Sequence, residues 1–486
     1  MDTIFHIFHH AQYTRDGTVL GNLLSPIPPK GDPSLLQRFY KDSNVFDIQS
    51  DITQYIKSPQ TTLPKDQRNA WIDIYVTYWK AIGEILRAES GNHRNDWAIK
   101  VYESWKEVMN LVIRGYSGSS GFQSWTLPVL YTAGKYLRVF AIKADEEQAA
   151  KVGAGAVKME TDGLGDDVTS GGLEKNERLE DAARVINRVF TLCISDRAPM
   201  EESRKWGLYH TTNLLFKTYF KLNSISLSKN CLRAIQASAT DMPPMSHFPK
   251  AHIVTFKYYV GVIHFLDEEY HKAEENLTAA YRMCHRDAQS NKNLILTYLV
   301  PTYLHTTLRL PPTTTSFGQE LITTLFSNFL RAIHLGALGR FNLELETHAH
   351  VFVKRRIYLS LERARELCLR NLLKRCWIVA GDKEKPRVRV KEWAAAVRWS
   401  AKAGGEGGFN DLQPRRVVDE GHVDMEDVVV ADGEAGERLN GEMDDDEVEC
   451  LVSGLIYKGL LKGYISRDHG IIVLNRKGEI FPGTGV

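Results

Sequence analysis

The sequence predicts an all-α solenoid of helical repeats, similar to tetratricopeptide repeats, that ends in a C-terminal winged helix. Apolar residues recur at helical spacing along most of the 486 residues. Strand-like alternation of apolar and polar residues begins only at about residue 386. From there the order of elements is strand, helix, helix and β-hairpin, which is the order of a winged helix.

The composition limits the class of protein. Hydrophobic residues make up 43% and charged residues 25% of the chain, which is typical of globular domains. The six cysteines have no CxxC spacing, so we expect reduced thiols. The N-terminal MDTIFHIFHHAQYT lacks the cationic start of a secretory signal, and no stretch approaches the ~18 apolar residues of a membrane span. These features favour a nuclear or cytosolic protein without a membrane partner.

The first helices are predicted from spacing alone. In QRNAWIDIYVTYWKAIGEIL, apolar side chains recur at steps of three and four, at Trp71, Ile72, Val76, Trp79, Ile82 and Leu86. Similar patterns predict helices around 97–113, 126–143, 178–195, 201–222 and 227–238.

One stretch, FKYYVGVIHFLDEEYHKAEENLTAAYRMC, has the spacing of a tetratricopeptide repeat. Its small residues Gly261, Ala273 and Ala280 let two helices of a hairpin approach closely. A generic helical hairpin is the alternative interpretation.

Two segments, 144–177 and 403–446, are rich in Gly and Asp and poor in apolar residues, so we predict disordered insertions there. The predicted domains are an N-terminal helical region (1–200), the helical repeats (201–348) and a long basic helix with the winged helix (349–486).

The near-zero net charge of +1 hides an alternation of charge. Residues 350–402 contain 15 Lys or Arg against 5 Asp or Glu, and residues 403–449 contain 3 against 16. Residues 450–486 are basic again, with 5 against 2. A local basic surface is therefore predicted near the C-terminus, although a solvated helix face would explain the charges of 350–379 equally well.

The elements of the winged helix follow in order. HVFVKRRIYLSLERARELCLRNLLKRCWIV is predicted as one long helix with a basic face, and Val388 and Val390 alternate as a short strand. The helix VKEWAAAVRWSAK and a last helix that ends at Gly463 come next. YIS and IIVL then form the wing hairpin, and Gly470 supplies the positive φ of its turn.

The last helix and the hairpin carry most of the cations that the sequence offers to a phosphate backbone. Lys458 and Lys462, four residues apart, are predicted on the outer face of the last helix, and Arg467 and His469 at the wing tip. Because the last helix shows no array of Asn or Gln for base recognition, we expect binding that is independent of nucleotide sequence.

Helical repeats that run directly into a winged helix resemble the PCI domain of the proteasome lid, the signalosome and translation initiation factor three. The chain is similar to the fungal twelfth-subunit family of the COP-nine signalosome, and also to PCI-domain-containing protein two and its yeast messenger-export relative. The residues that carry the resemblance are KNCLRAIQ (229–236), FPKAHIVTFKYYVGVIHFLDEEYHKAEENLTAAYRMCH (248–285), NKNLILTYLVPTYL (291–304), RRIYLSLERARELCLRNLLKR (355–375) and LIYKGLLKGYISRDHGIIVLNRKGEIFP (455–482).

The resemblance implies a non-catalytic scaffold subunit that pairs with a SAC/GANP-domain protein and a small acidic protein associated with the proteasome lid. It implies a nuclear role in messenger RNA splicing, transcription elongation or export, with binding of RNA or DNA; the cytoplasm is a second compartment. A scaffold of a signalosome-like or proteasome-lid-like complex that binds only proteins is the alternative, since winged helices of this type pack side by side through an exposed edge such as IIVL.

We therefore predict two sets of site residues and no catalytic residue, metal ligand or cofactor. The predicted nucleic-acid-binding residues are Lys383, Lys385, Arg387, Arg389, Lys391, Lys458, Lys462, Arg467, His469, Arg476 and Lys477. The predicted partner-binding residues are Lys217, Lys221, Lys229, Arg233, Lys257, Ile471, Ile472 and Val473.

Enzyme motifs do not change this prediction. The sequence lacks GxxxxGK[ST], GxSxG and HExxH. Cys284 and His285 are adjacent and would point about 100° apart on a helix, which does not suit a nucleophile and its base. His348 and His350 lack a third ligand, and Asp444–Asp446 falls in predicted disorder.

Overall fold

The computed structural model describes the chain in two compact units, Met1–Ile263 and His264–Val486. The described residues are 1–57, 63–90, 96–117, 121–156, 176–307, 320–381, 384, 386–402, 444–475 and 478–484. The division into three domains at residues 200 and 348 stays a prediction. Among the described residues, none of the helices combines the length and the apolar character that a bilayer crossing requires.

The first unit is helical. Its helices are α1 (Asp2–Thr14), α2 (Gly17–Leu23), α3 (Leu35–Lys41), α4 (Ile48–Ile56), α5 (Lys65–Glu89), α6 (Trp97–Tyr116), α7 (Leu127–Ala156), α8 (Glu177–Ile194), α9 (Leu208–Lys221), α10 (Ile225–Ala237) and most of α11 (Lys250–Leu266). All six helices predicted from apolar spacing between residues 71 and 238 are confirmed.

Helix α5 shows how the apolar spacing builds the core. Trp71, Trp79 and Ile82 are buried, and the indole of Trp71 stacks on Phe122 with ring centroids 4.5 Å apart. Helix α6 packs against both α5 and α7. Within this layer the indole nitrogen of the fully buried Trp105 donates a hydrogen bond of 3.0 Å to the carbonyl oxygen of Ala133.

The predicted insertion at 144–177 begins too early. Residues 144–156 are the end of α7, and Ala144 is fully buried. The Asp145 carboxylate accepts hydrogen bonds from the backbone N–H groups of Arg178 (3.1 Å) and Leu179 (2.9 Å). It thus satisfies two donors at the start of α8 that have no partner within that helix. Residues 157–175 lie outside the described part of the chain.

The second unit combines helices with one small sheet. Its helices are α12 (Tyr270–Met283), α13 (Gln289–Thr306), α14 (Glu320–Leu335), α15 (Leu338–Thr347), α16 (Ala349–Lys354), α17 (Tyr358–Arg363), α18 (Arg365–Ala380), α19 (Val390–Lys402) and α20 (Asp445–Tyr457). Its strands are β1 (Arg387–Arg389), β2 (Gly463–Ser466) and β3 (Ile471–Leu474).

Helix α12 has the buried small residues that the repeat pattern predicts. Ala273, Leu277 and Ala280 recur at steps of four and three and are fully buried. Helix α12 packs closely on α13.

The predicted long helix at 350–379 is wrong, because the chain bends twice and forms α16, α17 and α18 instead. Arg356 has φ +59°, which ends α16. The basic face of α18 is also partly internal. The Arg370 guanidinium is buried and donates to the Pro482 carbonyl (3.3 Å), and the Lys374 ammonium donates to Thr484 O (3.0 Å). These cations hold the C-terminal segment rather than facing solvent.

The winged helix itself is confirmed. Helix α18, strand β1, helices α19 and α20 and the β2–β3 hairpin follow in the predicted order. The sheet has the strand order β1-β3-β2 with antiparallel pairing throughout. Trp393 of α19 and Val452 and Leu455 of α20 are buried in its core. Gly470 has φ +59° at the wing turn, as the sequence predicts.

Helix α20 differs from prediction at both ends. It begins at a capping box, in which the Asp444 side chain accepts from the first turn and Glu447 bonds back to the Asp444 N–H. Asp444–Asp446 therefore belong to a helix start and not to the predicted disorder; residues 403–443 lie outside the described part. The helix ends at Tyr457, since Gly459 takes φ +70° four residues before the predicted stop.

Candidate nucleic-acid interface

The sheet of the winged helix has one solvent face, which we call the outer sheet face. Residues directly opposite one another in an antiparallel pair lie on the same side of the sheet. The pairing therefore forms two rows across this face, Arg387–Val473–Tyr464 and Arg389–Ile471–Ser466. Both arginines and Tyr464 are exposed, whereas Ile471 and Val473 are half-buried. The face thus combines two cations, an aromatic ring and two aliphatic side chains.

The opposite face of the sheet belongs to the core. Val388 and Ile472 pair directly and are buried, and Ile472 has no exposed surface. Strand β3 lies between β1 and β2, so its backbone is paired on both sides. The prediction that IIVL is an exposed edge, with Ile471, Ile472 and Val473 available for strand addition, is therefore wrong. The edges are β1 and β2, and only Ile471 and Val473 turn their side chains outward.

Five exposed cations surround the outer sheet face. They are Arg387, Arg389, Lys391, Lys462 and Arg467. Within the described part of the chain, none of them forms an ion pair. Asp468 stands beside Arg467 at the wing tip, and Glu392 beside Lys391. Lys383, Lys385, Arg476 and Lys477 lie outside the described residues, so their predicted role stays a prediction.

Lys458 and Lys462 do not share a helix face, contrary to the prediction. Lys458 is the C-cap of α20, whereas Lys462 follows the turn at Gly459. The Lys458 ammonium forms a salt bridge with the Glu366 carboxylate of α18. Lys462 is held by its backbone, whose N–H donates to Ile480 O (2.8 Å) and whose carbonyl accepts from Asn475 N (3.0 Å). Of these two lysines, only Lys462 presents an unpaired ammonium within the described part.

The reader helix of this winged helix is not basic. Helix α20 contains Asp445, Asp446, Glu447 and Glu449 and neither Lys nor Arg. Asp445 also accepts a hydrogen bond of 3.0 Å from Arg398 of α19. Carboxylates on a helix that entered a DNA groove would repel the phosphates. The charge favours the outer sheet face, and not α20, as the contact surface for a polyanion.

The wing tip is a short turn of 3-10 geometry at Arg467–His469. The Gly470 N–H closes it with a bond of 3.0 Å to the Arg467 carbonyl. The Nδ1 atom of His469 lies 3.4 Å from the hydroxyl oxygen of Ser466. Both predicted tip residues, Arg467 and His469, are exposed at the end of the hairpin.

The predicted partner-binding cations of the first unit come from three successive helices. Lys217 and Lys221 lie on α9, Lys229 and Arg233 on α10, and Lys257 on α11. Arg233 bonds to Asn230 (3.3 Å), and Lys229 and Lys257 are half-buried.

Sequence reasoning missed two further cations near Lys217. The Arg138 guanidinium of α7 donates to the Lys217 carbonyl (3.2 Å). Desolvation lowers the pKa of the partly exposed Lys217, and the charges of Arg138 and Lys135 lower it further. The Arg138 Nε has no hydrogen-bond partner among the described residues. The i, i+3 spacing of Lys135 and Arg138 was the available signal.

Metal-ligating side chains are not grouped in the described part of the chain. There, no set of three or more His, Cys, Asp or Glu side chains could hold a metal ion. Burial raises the pKa of the Cys193 and Cys368 thiols to about 12, which keeps them protonated and unreactive.

Helical repeats that lead into a winged helix define the architecture of a PCI-type subunit. The family model described as "PCI domain" matches residues 440–476. The Neurospora crassa protein named "Protein CSN12 homolog" is 44% identical over 100% of both chains. Its namesake in Schizosaccharomyces pombe is 33% identical, covering 73% of this chain and 71% of that protein. "PCI domain-containing protein 2" of Xenopus laevis is 30% identical over 74% of each chain.

The chain belongs to the protein family of the CSN12 homologs and PCI domain-containing protein 2.

Proposed function

We propose that the chain is a non-catalytic scaffold subunit that binds single-stranded RNA or DNA through the outer sheet face. The observation that carries the proposal is the pair Arg387 and Arg389, exposed side by side without an ion pair among the described residues. Lys391, Lys462 and Arg467 extend the positive charge around the same sheet.

The mechanism is electrostatic and independent of nucleotide sequence. Lysine and arginine neutralise phosphates and release condensed counterions, which drives binding at low salt. Tyr464 lies in the same row as Arg387 and offers a ring on which an unpaired base can stack. The acidic reader helix disfavours insertion into a duplex groove, so single strands suit this surface better.

The partners proposed for this subunit are a SAC/GANP-domain scaffold and a small acidic protein. The half-buried Arg138 and the exposed Lys217, without a carboxylate within hydrogen-bond distance in the described part, support docking of an acidic chain on α7 and α9. The names of the relatives support membership of a multi-subunit complex. We propose that this complex acts in the nucleus, in messenger RNA splicing, transcription elongation or export.

A scaffold that binds only proteins is the second candidate function. The half-exposed Ile471 and Val473 on the outer sheet face favour it, because aliphatic side chains suit a protein contact better than a phosphate. The strands β1 and β2 also leave their outer edges for strand addition. The two functions make opposite predictions for the arginines of the sheet.

The test is to replace Arg387 and Arg389 with Glu in the full chain and measure binding to labelled single-stranded RNA across a salt titration. Each arginine that binds a phosphate contributes about 0.7 to the slope of log K against log salt, so the double variant should bind about 25-fold more weakly at 0.1 M salt. The matched control replaces the exposed Arg184 and Arg188 of α8 with Glu. Unchanged RNA affinity together with failure to co-purify the SAC/GANP partner would assign the face to protein binding.

A further inference from the structure

A second basic cluster lies outside the winged helix, at the bend between α16 and α17. Lys354, Arg355 and Arg356 follow one another there, and all three side chains are exposed. Within the described part of the chain, none of them forms an ion pair. Burial raises the pKa of Tyr358, and the nearby Glu362 and Glu346 carboxylates raise it further, but neither carboxylate bonds to the cluster. These three charges are therefore not paired with a carboxylate within the described fold.

The backbone at this bend favours glycine, yet the residue is arginine. Arg356 has φ +59°. Its N–H bonds to Val353 O (2.8 Å), and the next N–H, of Ile357, bonds to Phe352 O (2.9 Å). This is a Schellman motif, in which the residue with positive φ is usually Gly because any Cβ is strained there. The fold itself therefore gives no reason for a long cationic side chain at residue 356.

The bend is nevertheless held firmly in place. Phe352 and Ile357, on either side of the cluster, have no exposed surface. The Tyr298 hydroxyl donates a hydrogen bond of 3.0 Å to the Arg355 carbonyl. Three cations on a fixed backbone lose less entropy on binding an anion than cations on a mobile loop.

Glu268 shows what a charged residue in this conformation can do. It has φ +62°, and its carboxylate forms an ion pair of 2.8 Å with Arg363 of α17. At that position the strain accompanies a defined electrostatic contact. Arg356 has the same kind of strain and no ion pair among the described residues. Unlike the strained Arg15, which Asp16 follows, it stands in a run of three exposed cations, so the combined charge is available to a ligand from outside the chain.

We infer that Lys354, Arg355 and Arg356 form a second phosphate-binding site, which lengthens the single strand that the chain holds. The inference rests on the proposed function. Guanidinium groups match phosphate oxygens in a fixed fork geometry, so two adjacent arginines suit a nucleic-acid backbone. The bend also lies in the same unit as the outer sheet face, and α17 leads directly into the first helix of the winged helix.

The test compares Arg356→Gly with Arg15→Gly in the full chain. Arg15 is the matched control, because it also has positive φ (+54°), ends a helix and is exposed. Both changes should leave the melting temperature unchanged or raise it, since Gly relieves the strain. Only Arg356→Gly should weaken binding of a poly-uridine strand of about 40 nucleotides, by about fivefold at 0.1 M salt for one phosphate contact. A strand of about 10 nucleotides, near the size of one site, should be less affected.

The outcomes separate this inference from the proposed function. Equal affinity of the Arg356→Gly and Arg15→Gly variants for the long strand would overturn the second site, while the Arg387 and Arg389 variant still tests the first. Loss of binding to poly-glutamate with unchanged binding to poly-uridine would also overturn it and assign the bend to an acidic protein. A double variant, Lys354→Glu with Arg355→Glu, keeps the backbone of the bend and should weaken long-strand binding further.

Discussion

The inner and outer faces of the wing sheet are built from alternating residues of the same three strands, but their chemistry differs completely. The inner face presents the paired, buried Val388 and Ile472 to the core. The outer face presents Arg387 and Arg389, separated by Val388 along one short strand. Because neighbouring residues of a strand point to opposite sides, one strand can contribute to stability and to binding without conflict. Substitutions at neighbouring residues of one strand can therefore test its contribution to stability separately from its contribution to binding.

The largest effect expected from this comparison is on folding. Ile472→Ala removes a fully buried side chain and should lower the free energy of unfolding by about 2–5 kcal/mol. Ile471→Ala, on the next residue, removes a half-exposed side chain and should cost well under that amount. Urea unfolding of the two variants measures both values. Equal losses would contradict the assignment of the two faces.

Low pH should lower the stability of the first unit but not that of the sheet. Burial, together with the charges of His252 and Lys217, lowers the pKa of His210 to about 3. A histidine whose pKa is lower in the folded than in the unfolded state binds protons on unfolding, so stability falls as the pH drops below about 6.5. The loss should reach about 2 kcal/mol by about pH 5.

Unfolding curves of the wild type and His210→Gln at about pH 7 and about pH 5 test this prediction. The variant should lose less stability on acidification. If both proteins lose the same amount, His210 is not the group responsible. The sheet should be insensitive over this range, because Val388, Ile465 and Ile472 of its inner row carry no ionisable group.

The smallest expected effect is on base stacking. Tyr464→Ala should weaken binding to single-stranded RNA by about 1 kcal/mol, the lower end of the range for one stacked base. Tyr457→Ala is the control, since that ring is 91% exposed but lies on α20 and not on the sheet. Fluorescence titration compares the two variants. Equal weakening by both would show that the outer sheet face has no special role.

The spacing of apolar residues and the distribution of charge along the sequence predict much of the fold. Apolar spacing predicts the helices of the first unit, and the order of elements predicts the winged helix. The order of the strands in the sheet could not be predicted in this way, because the local sequence IIVL does not reveal that its strand lies between two others. The end of α20 was also ambiguous, because Leu460 and Leu461 continue the apolar pattern past Gly459. The actual stop depends on their burial in the core.

In the candidate sites too, local sequence predicts some features and tertiary packing decides the others. The alternation of Val388 and Val390 predicted a short strand that contains the site residues Arg387 and Arg389. Arg138 and Lys217 could not be paired from the sequence, because tertiary packing joins residues 79 positions apart. The strain at Arg356 depends on its positive φ angle, and the residues Lys354, Arg355 and Arg356 do not predict that angle.

Asp145 has a consequence for evolution and engineering. Its carboxylate fixes where α8 begins through two backbone bonds, so the register of α8 does not depend on the length of the chain that joins it to α7. Doubling the length of a flexible connection costs only about 0.6 kcal/mol in closure entropy. We therefore expect a change in the number of residues between α7 and α8 to leave the start of α8 in place.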